Sequence, residues 1–149
     1  MATQRATRDQ SLEVLIELRF PGRADRLKLV RGSVRAAARM CGFGDRTAQD
    51  IVLAVDEACQ NVIVHGYRGR EGGEIVLNLF RRADGLFVRL RDFAPPIDPA
   101  RVRPRALSDV RPGKLGSHFM QEIMDSVEFR PVPEGGNLLE MLKRRGQPT

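Results

Sequence analysis

The 149-residue sequence contains no tryptophan, one tyrosine, two histidines and two cysteines. The two cysteines, Cys41 and Cys59, form no C-x-x-C pair, which predicts reduced thiols rather than a disulfide framework. Such a small supply of Cys and His also argues against a zinc cluster. No apolar run approaches the roughly 18 residues of a spanning helix, and the first ten residues are too polar for a secretory signal. These absences predict a cytoplasmic protein that does not bind a membrane.

Basic residues are in excess, since 25 Lys and Arg stand against 19 Asp and Glu and give a formal net charge of +6. A positive field attracts nucleic acids without regard to fold. However, a protein that binds single strands usually interleaves stacking aromatic side chains with its basic residues, and this sequence does not. We therefore expect no direct nucleic-acid ligand, and the charge needs another explanation.

The pattern along the chain predicts one domain over residues 1–149, with a core of about 11–144 and frayed ends. Strands are predicted at Leu12–Phe20, Glu74–Arg82, Leu86–Asp92, Val127–Val132 and Leu138–Lys143, and helices at Ala24–Met40, Arg46–His65 and Gly116–Asp125. In the first strand Leu12, Val14, Ile16, Leu18 and Phe20 alternate and are predicted to share one face. This order predicts an α/β (α+β) two-layer sandwich, with a mixed, mainly antiparallel sheet and helices on one face. The aperiodic connection from Phe93 to Gly116 is long enough to predict a functional lid.

The helix from Arg46 to His65 has two distinct faces. One wide apolar arc is predicted to face the core, and Asp45 is the predicted N-cap. The opposite side gathers Asp50, Ala54, Glu57, Asn61 and His65. Gly66 is predicted to end the helix as a left-handed cap.

Glu57 and Asn61 stand one turn apart on that side of the helix. An Asn oxygen is a hard neutral ligand that suits Mg²⁺, which takes its other ligands from water and phosphates. A Glu one turn earlier could accept a proton from an attacking hydroxyl. The alternative for the isolated pair is a solvated polar face.

Asp92 closes an apolar strand, and the chain continues as Phe93-Ala94-Pro95-Pro96-Ile97. A carboxylate accepts hydrogen bonds only, so it suits the exocyclic amino group of adenine and repels the carbonyl that guanine offers there. The alternative is an Asp that caps the turn before Pro95.

A glycine-bearing segment precedes the last predicted helix and runs through Gly113, Lys114, Leu115, Gly116 and Ser117. Backbone N–H groups at such a helix start can approach a phosphate, assisted by the helix dipole. The Walker A pattern is absent, and the alternative is a flexible entry to the helix.

Taken in order, the three segments resemble the N, G1 and G2 boxes of the GHKL, or Bergerat-fold, ATPases, and most closely the anti-sigma factor serine kinases. The N box corresponds to Asp56–Tyr67, the G1 box to Asp92–Pro99 and the G2 box to Gly113–Met120. The resemblance covers nearly the whole chain, from the first strand to Lys143.

The resemblance implies a histidine-kinase-like ATP-binding domain that uses ATP and Mg²⁺ to phosphorylate a serine or threonine on a small partner protein. Glu57 is the implied catalytic base, Asn61 the implied Mg²⁺ ligand and Asp92 the implied adenine contact. The other implied cofactor-binding residues are Ala94, Ile97, Gly113, Lys114, Leu115, Gly116 and Ser117. The implied partners are an anti-sigma-factor antagonist, which is the substrate, and a sigma factor that is sequestered. The resemblance also allows a homodimer.

The sequence departs from the family pattern at Ala94 and Pro96, where glycines are usual, and at Lys114, where glycine is frequent. The departures at Ala94 and Pro96 favour an alternative, a catalytically silent Bergerat-fold binding module or switch. The intact Glu57 and Asn61 oppose it.

The resemblance also explains part of the charge. Residues 101–114 carry five basic side chains against one acidic one. A basic lid beside a triphosphate needs no nucleic acid. The first 45 residues carry nine basic against five acidic side chains, and this excess stays unassigned.

Overall fold

The computed structural model describes residues 11–68, 70, 72–95 and 120–146 of the chain. The strands are β1 (Glu13–Pro21), β2 (Glu74–Arg82), β3 (Gly85–Asp92), β4 (Ser126–Pro131) and β5 (Asn137–Arg144). The α-helices are α1 (Leu27–Met40) and α2 (Asp45–Asn61), and α2 runs directly into a π-helix at Val62–Gly66. A 3₁₀ turn at Ala24–Arg26 precedes α1, and residues 120–123 are helical.

The five strands form one sheet in the order β1-β2-β3-β5-β4, and every paired neighbour among these strands is antiparallel. Both predicted hairpins are present, because β2 pairs with β3 and β4 pairs with β5. Helices cover one face of the sheet. The predicted two-layer α/β sandwich is therefore confirmed.

The two layers meet in one apolar core. Alternate residues of β2, namely Ile75, Leu77 and Leu79, are completely buried, as the period of two in a half-covered strand requires. The helices bury the residues that repeat at helical spacing, such as Val34 in α1 and Ile51 in α2. The helical side of the core could therefore be predicted from the spacing of the apolar residues in the two helices.

The prediction for β1 is wrong in its first half. The pairing with β2 shifts register between Val14 and Ile16, which is a β-bulge. Val14 is consequently 60% exposed, while Leu15 packs against the core. Leu18 and Phe20, beyond the bulge, pack against the core as predicted. A bulge adds one residue to the strand, so the alternation that precedes it changes face.

The ends of α2 also differ from the prediction. Gly44, not Asp45, is the N-cap, and Asp45 is the first helical residue. Gly66 is not a left-handed cap, because it belongs to the π-helix and the chain first turns left-handed at Arg68, with φ 53°. An acidic residue in the first turn still complements the helix dipole. The π-helix widens the last turn directly after Asn61.

Several predictions fall outside the described residues. Residues 96–116 of the predicted Phe93–Gly116 lid and residues 116–119 of the predicted Gly116–Asp125 helix lie there. Cys41 and Cys59 are free thiols and both are buried. In the part of the chain that the structure describes, no helix is long and apolar enough to cross a membrane.

Candidate functional site

Glu57 and Asn61 lie one turn apart on α2, and both side chains are half-buried. Burial raises the pKa of Glu57, and the neighbouring carboxylate of Asp56 raises it further. Within the described residues, no hydrogen bond joins either side chain to another group. A carboxylate with a raised pKa, such as that of Glu57, is a better proton acceptor near neutral pH. The amide oxygen of Asn61 is available to coordinate a metal ion.

The side of α2 that carries this pair is more enclosed than the sequence predicts. Ala54, predicted to be on the exposed side, is completely buried. Asp56 is also buried, and it accepts hydrogen bonds from Arg31 at 2.9 Å and Gln60 at 2.7 Å. The ion pair between Arg31 of α1 and Asp56 of α2 holds this part of α2 against α1. The enclosure is the physical source of the desolvation felt at Glu57.

Asp92 lies at the end of β3 with only 3% of its surface exposed. One carboxylate oxygen accepts hydrogen bonds from the backbone N–H of Ala94 and from the side-chain amide of Asn137, both at 3.0 Å. Burial raises the pKa of Asp92, and these hydrogen bonds oppose the rise. The interpretation of Asp92 as a turn cap is thus confirmed. Capping leaves the carboxylate, which has two oxygens, able to accept further bonds.

Asn137 is a site residue that the sequence analysis missed. It is the first residue of β5, faces Asp92 across the β3–β5 ladder and is 1% exposed. Asn137 follows Gly135-Gly136 in a hairpin, and asparagine is common in such turns, so the sequence alone does not indicate a contact with Asp92. The signal that could have identified it is register, because the ends of paired strands meet.

Gly136 permits the close approach of this hairpin to the Asp92 strand end. Its φ is +84°, and a Cβ there would lie 2.1 Å from the Asp92 carbonyl oxygen. Arg91 reinforces the approach, since its guanidinium donates to the carbonyls of Asp92 at 2.8 Å and Gly135 at 2.6 Å. The guanidinium also lies 4.7 Å from the centre of the Phe93 ring. The strand end and the hairpin are therefore held as one unit.

A contact between Gly66 and Ala94 brings the helix and the Asp92 turn together. A Cβ built on Gly66 would lie 3.2 Å from the Cβ of Ala94, which is itself buried. Ala94 does not have a positive φ, so its backbone does not require glycine. The Ala94 methyl group occupies the space that Gly66 leaves open, which accounts for the first departure from the family pattern.

The remaining predicted site residues cannot be placed. Outside the described residues lie Ile97, Gly113, Lys114, Leu115, Gly116 and Ser117, together with the departure at Pro96. The described half of the site therefore contains Glu57 and Asn61 on the helix and Asp92 and Ala94 on the turn. Asn137 joins them from β5.

The described residues fit a nucleotide with a magnesium ion. Asn61 offers one neutral oxygen, which suits Mg²⁺ that takes its other ligands from phosphates and water. Asp92 offers a buried, oriented acceptor, which suits an amino group on an aromatic base. A buried acceptor is selective because a ligand without the matching donor leaves it unsatisfied.

Comparison with known proteins identifies the family of the chain. Residues 20–143 match the family described as the histidine kinase-like ATPase domain. The serine-protein kinase RsbW of Bacillus pumilus is 27% identical over 126 residues, which cover 78% of this chain and 78% of the relative. RsbW of Halalkalibacterium halodurans is 29% identical over 136 residues, which cover 86% of this chain and 82% of the relative.

Solved structures share the fold. The RsbU and RsbW domains of a Mycobacterium tuberculosis protein match with a TM-score of 0.59 at 17% identity, covering 89% of this chain and 33% of that chain, so this chain spans about a third of it. A histidine kinase domain from Erythrobacter litoralis matches with a TM-score of 0.53 at 18% identity, covering 77% of this chain and 59% of that chain. Since the family match spans most of the sequence, the chain belongs to the histidine kinase-like ATPase family, and it is similar to the RsbW serine-protein kinases.

Proposed function

We propose that this chain is an ATP-dependent serine/threonine protein kinase that acts as an anti-sigma regulatory factor. It transfers the γ-phosphoryl group of ATP to a hydroxyl of a small anti-sigma-factor antagonist, and it sequesters a sigma factor. Similarity to relatives named serine-protein kinase RsbW supports the reaction class.

The contact between Gly66 and Ala94 is the observation that carries the proposal. Gly66 ends the helical segment that bears Glu57 and Asn61, and Ala94 follows Asp92 by two residues. Gly66 lies nine positions after Glu57, about 14 Å at the α-helical rise of 1.5 Å per residue. The contact therefore joins the helix that carries the proposed base and metal ligand to the turn that carries the proposed adenine acceptor, over a length comparable to that of an extended nucleoside triphosphate.

The proposed reaction asks mainly for positioning and charge neutralisation. Mg²⁺ would neutralise phosphate charge when bound, and Asn61 would hold it through its side-chain oxygen. Glu57 would accept the proton of the attacking serine or threonine hydroxyl. A new bond forms between that oxygen and the γ-phosphorus, the bond to the β-phosphate oxygen breaks, and ADP leaves. The raised pKa of Glu57 keeps this proton transfer closer to balance.

Asp92 provides the selectivity for adenine in this proposal. Its carboxylate accepts a hydrogen bond from the N6 amino group of adenine. Guanine has a carbonyl at the same place, and that carbonyl is repelled by a negatively charged acceptor. The hydrogen bonds from Ala94 and Asn137 keep the carboxylate oriented before nucleotide arrives. An oriented acceptor loses less entropy on binding.

The alternative of a catalytically silent binding module depended partly on Ala94. The conformation of Ala94 and its packing on Gly66 remove that argument, because an L-residue fits there without a positive φ. No described residue now favours the silent module over the kinase.

The experiment is a titration followed by a phosphorylation assay. Calorimetry on the full chain should show binding of Mg-ATP, weaker binding of ATP with a chelator present and much weaker binding of Mg-GTP. The chain is then used to recover small proteins from its native cell, and these are incubated with the chain and labelled ATP. Label on a serine or threonine of a recovered protein supports the kinase. Binding of Mg-ATP without any phosphorylated protein supports the silent module instead.

A further inference from the structure

The hydroxyl of Tyr67 stands between the ends of two strands. The β2–β3 ladder finishes at the facing pair Ile75 and Asp92, so Glu74 and Phe93 would face each other next. Instead, the Tyr67 hydroxyl donates to the carbonyl of Glu74 and accepts from the backbone N–H of Phe93 at 2.9 Å. The phenol therefore takes the place of a direct bond between the strands, at the point where β3 leaves the sheet.

The ring of Tyr67 is held firmly enough to fix that hydroxyl. The residue is 7% exposed. A Cβ on Gly73 would lie 2.5 Å from the ring, and one on Gly22 would lie 3.0 Å from it. These two glycines give the ring its space beside the ends of β2 and β3.

The backbone of Tyr67 is tied to the helix that carries the candidate base and metal ligand. Its N–H donates to the carbonyl of Val62 at 2.8 Å, which closes the π-helix. Val62 directly follows Asn61 in the sequence. One residue thus contacts the end of the Glu57 helix through its backbone and the Asp92 turn through its side chain.

The Phe93 N–H belongs to the peptide group that directly follows Asp92, so its hydrogen bond to Tyr67 restrains the backbone at that end of Asp92. Burial raises the pKa of the phenol, the hydrogen bond from the Phe93 N–H lowers it, and the negative charge of Asp92 raises it. A shift of the Phe93 amide would move the Asp92–Ala94 turn, which Asn137 and the Ala94 N–H now hold.

We propose that Tyr67 is a positioning residue that holds the Asp92 turn at a fixed distance from the end of α2 through its hydroxyl. The inference rests on the proposed function, since it gives that turn the task of binding adenine. Tyr67 acts through Asp92 and need not touch the nucleotide.

The variant Tyr67→Phe separates positioning from packing. The ring still fills the space beside Gly22 and Gly73, but both hydrogen bonds are lost. Either the Phe93 N–H and the Glu74 carbonyl are left unsatisfied, or the strands close on each other and the turn moves. Because a buried hydrogen bond contributes on the order of one tenfold step in binding, we expect Kd for Mg-ATP to rise roughly tenfold.

The test compares the wild-type chain, Tyr67→Phe and a matched control, Ser33→Ala. Ser33 also donates a hydroxyl to a carbonyl, that of Leu29 at 3.0 Å, but it does so on α1. We expect KM for ATP to rise in Tyr67→Phe with kcat changed less than twofold, and the Phe93 amide to exchange faster with solvent. The control should match wild type in both. Faster exchange at Phe93 reports only the loss of its hydrogen bond to the Tyr67 hydroxyl. A merely structural hydroxyl would give that result and a lower melting temperature, but it would leave KM for ATP unchanged.

The outcomes separate the two proposals. Failure of the wild-type chain to bind Mg-ATP overturns the proposed function and this inference with it. Tight binding by wild type together with an equal Kd for Tyr67→Phe overturns this inference alone. If Tyr67→Phe does not fold, the wild-type chain still decides through the Phe93 amide, which donates to the Tyr67 hydroxyl. Its exchange with solvent must be slow before Mg-ATP is added, and exchange as fast as in an unstructured peptide overturns the inference.

Discussion

The side-chain amide of Asn137 donates a 3.0 Å hydrogen bond to the carboxylate of Asp92, and both residues are almost completely shielded from solvent. They sit opposite each other at the ends of β3 and β5. Burial alone disfavours an ionised carboxylate, whereas an amide donor favours it. Asn137 therefore does two things for Asp92: it fixes the orientation of the carboxylate and it helps to keep the carboxylate charged.

Replacing Asp92 by Asn should weaken ATP binding at nearly constant shape. The variant loses the charge that accepts the adenine amino group, and bonds to charged acceptors are stronger than neutral ones, so we expect a loss of roughly tenfold or more in affinity. Asp84→Asn is the matched control, because Asp84 lies in the turn that precedes β3, at the other end of that strand from Asp92, and pairs with Arg82. Calorimetry with Mg-ATP measures both. An unchanged affinity in Asp92→Asn would remove Asp92 from the adenine site.

Replacing Asn137 by Ala should make ATP binding sensitive to acid. Burial raises the pKa of Asp92, and the Asn137 amide, the Ala94 N–H and the charge of Arg91 lower it. Without the amide the pKa rises further, so Asp92 takes up its proton at a higher pH. We expect Kd for ATP, measured across a falling pH series, to increase at a higher pH than in the wild-type chain.

Asn78→Ala serves as the control for that series. Asn78 lies on β2 and faces Arg89 and Glu17, away from Asp92. Its pH profile should follow that of the wild-type chain. Coincident profiles for Asn137→Ala and wild type would show that the amide does not govern the ionisation of Asp92.

Gly66→Ala should weaken ATP binding through a clash that a second change relieves. The added methyl would lie 3.2 Å from the Cβ of Ala94, closer than two carbon atoms pack comfortably. We expect the single variant to bind ATP several-fold more weakly, and Gly66→Ala combined with Ala94→Gly to recover most of the loss. A double-mutant cycle by calorimetry measures this coupling. Additive losses would mean that the helix end and the Asp92 turn do not meet there.

Most of the fold follows from local periodicity. Alternation along β2 and helical spacing along α2 depend only on which face is buried, so the elements and the two-layer arrangement could be predicted. The bulge in β1 could not, because Leu15 takes a position that depends on the register with β2. The π-helix after Asn61 could not be predicted either, since Val62 and Ile63 suit an α-helix equally well.

The candidate site shows the same division. Glu57, Asn61 and Asp92 could be identified because they belong to contiguous motifs. Asn137 and Tyr67 could not, since their roles arise from hydrogen bonds across strand ends that are far apart in sequence. The departure from the family pattern at Ala94 could not be explained from the sequence, because the residue that makes room for its methyl group, Gly66, lies on a different element.

The central claim is that Glu57 is the base of a phosphoryl transfer from ATP, and Glu57→Ala tests it most directly. The side chain is half-buried and lies on the same side of α2 as Asn61, but it is not assigned to nucleotide binding. The measurement is transfer of labelled phosphate to the partner protein, with Kd for Mg-ATP determined on the same preparation. We expect loss of transfer by a factor of about a hundred or more with Kd nearly unchanged. Undiminished transfer, or equal loss of transfer and binding, would contradict it.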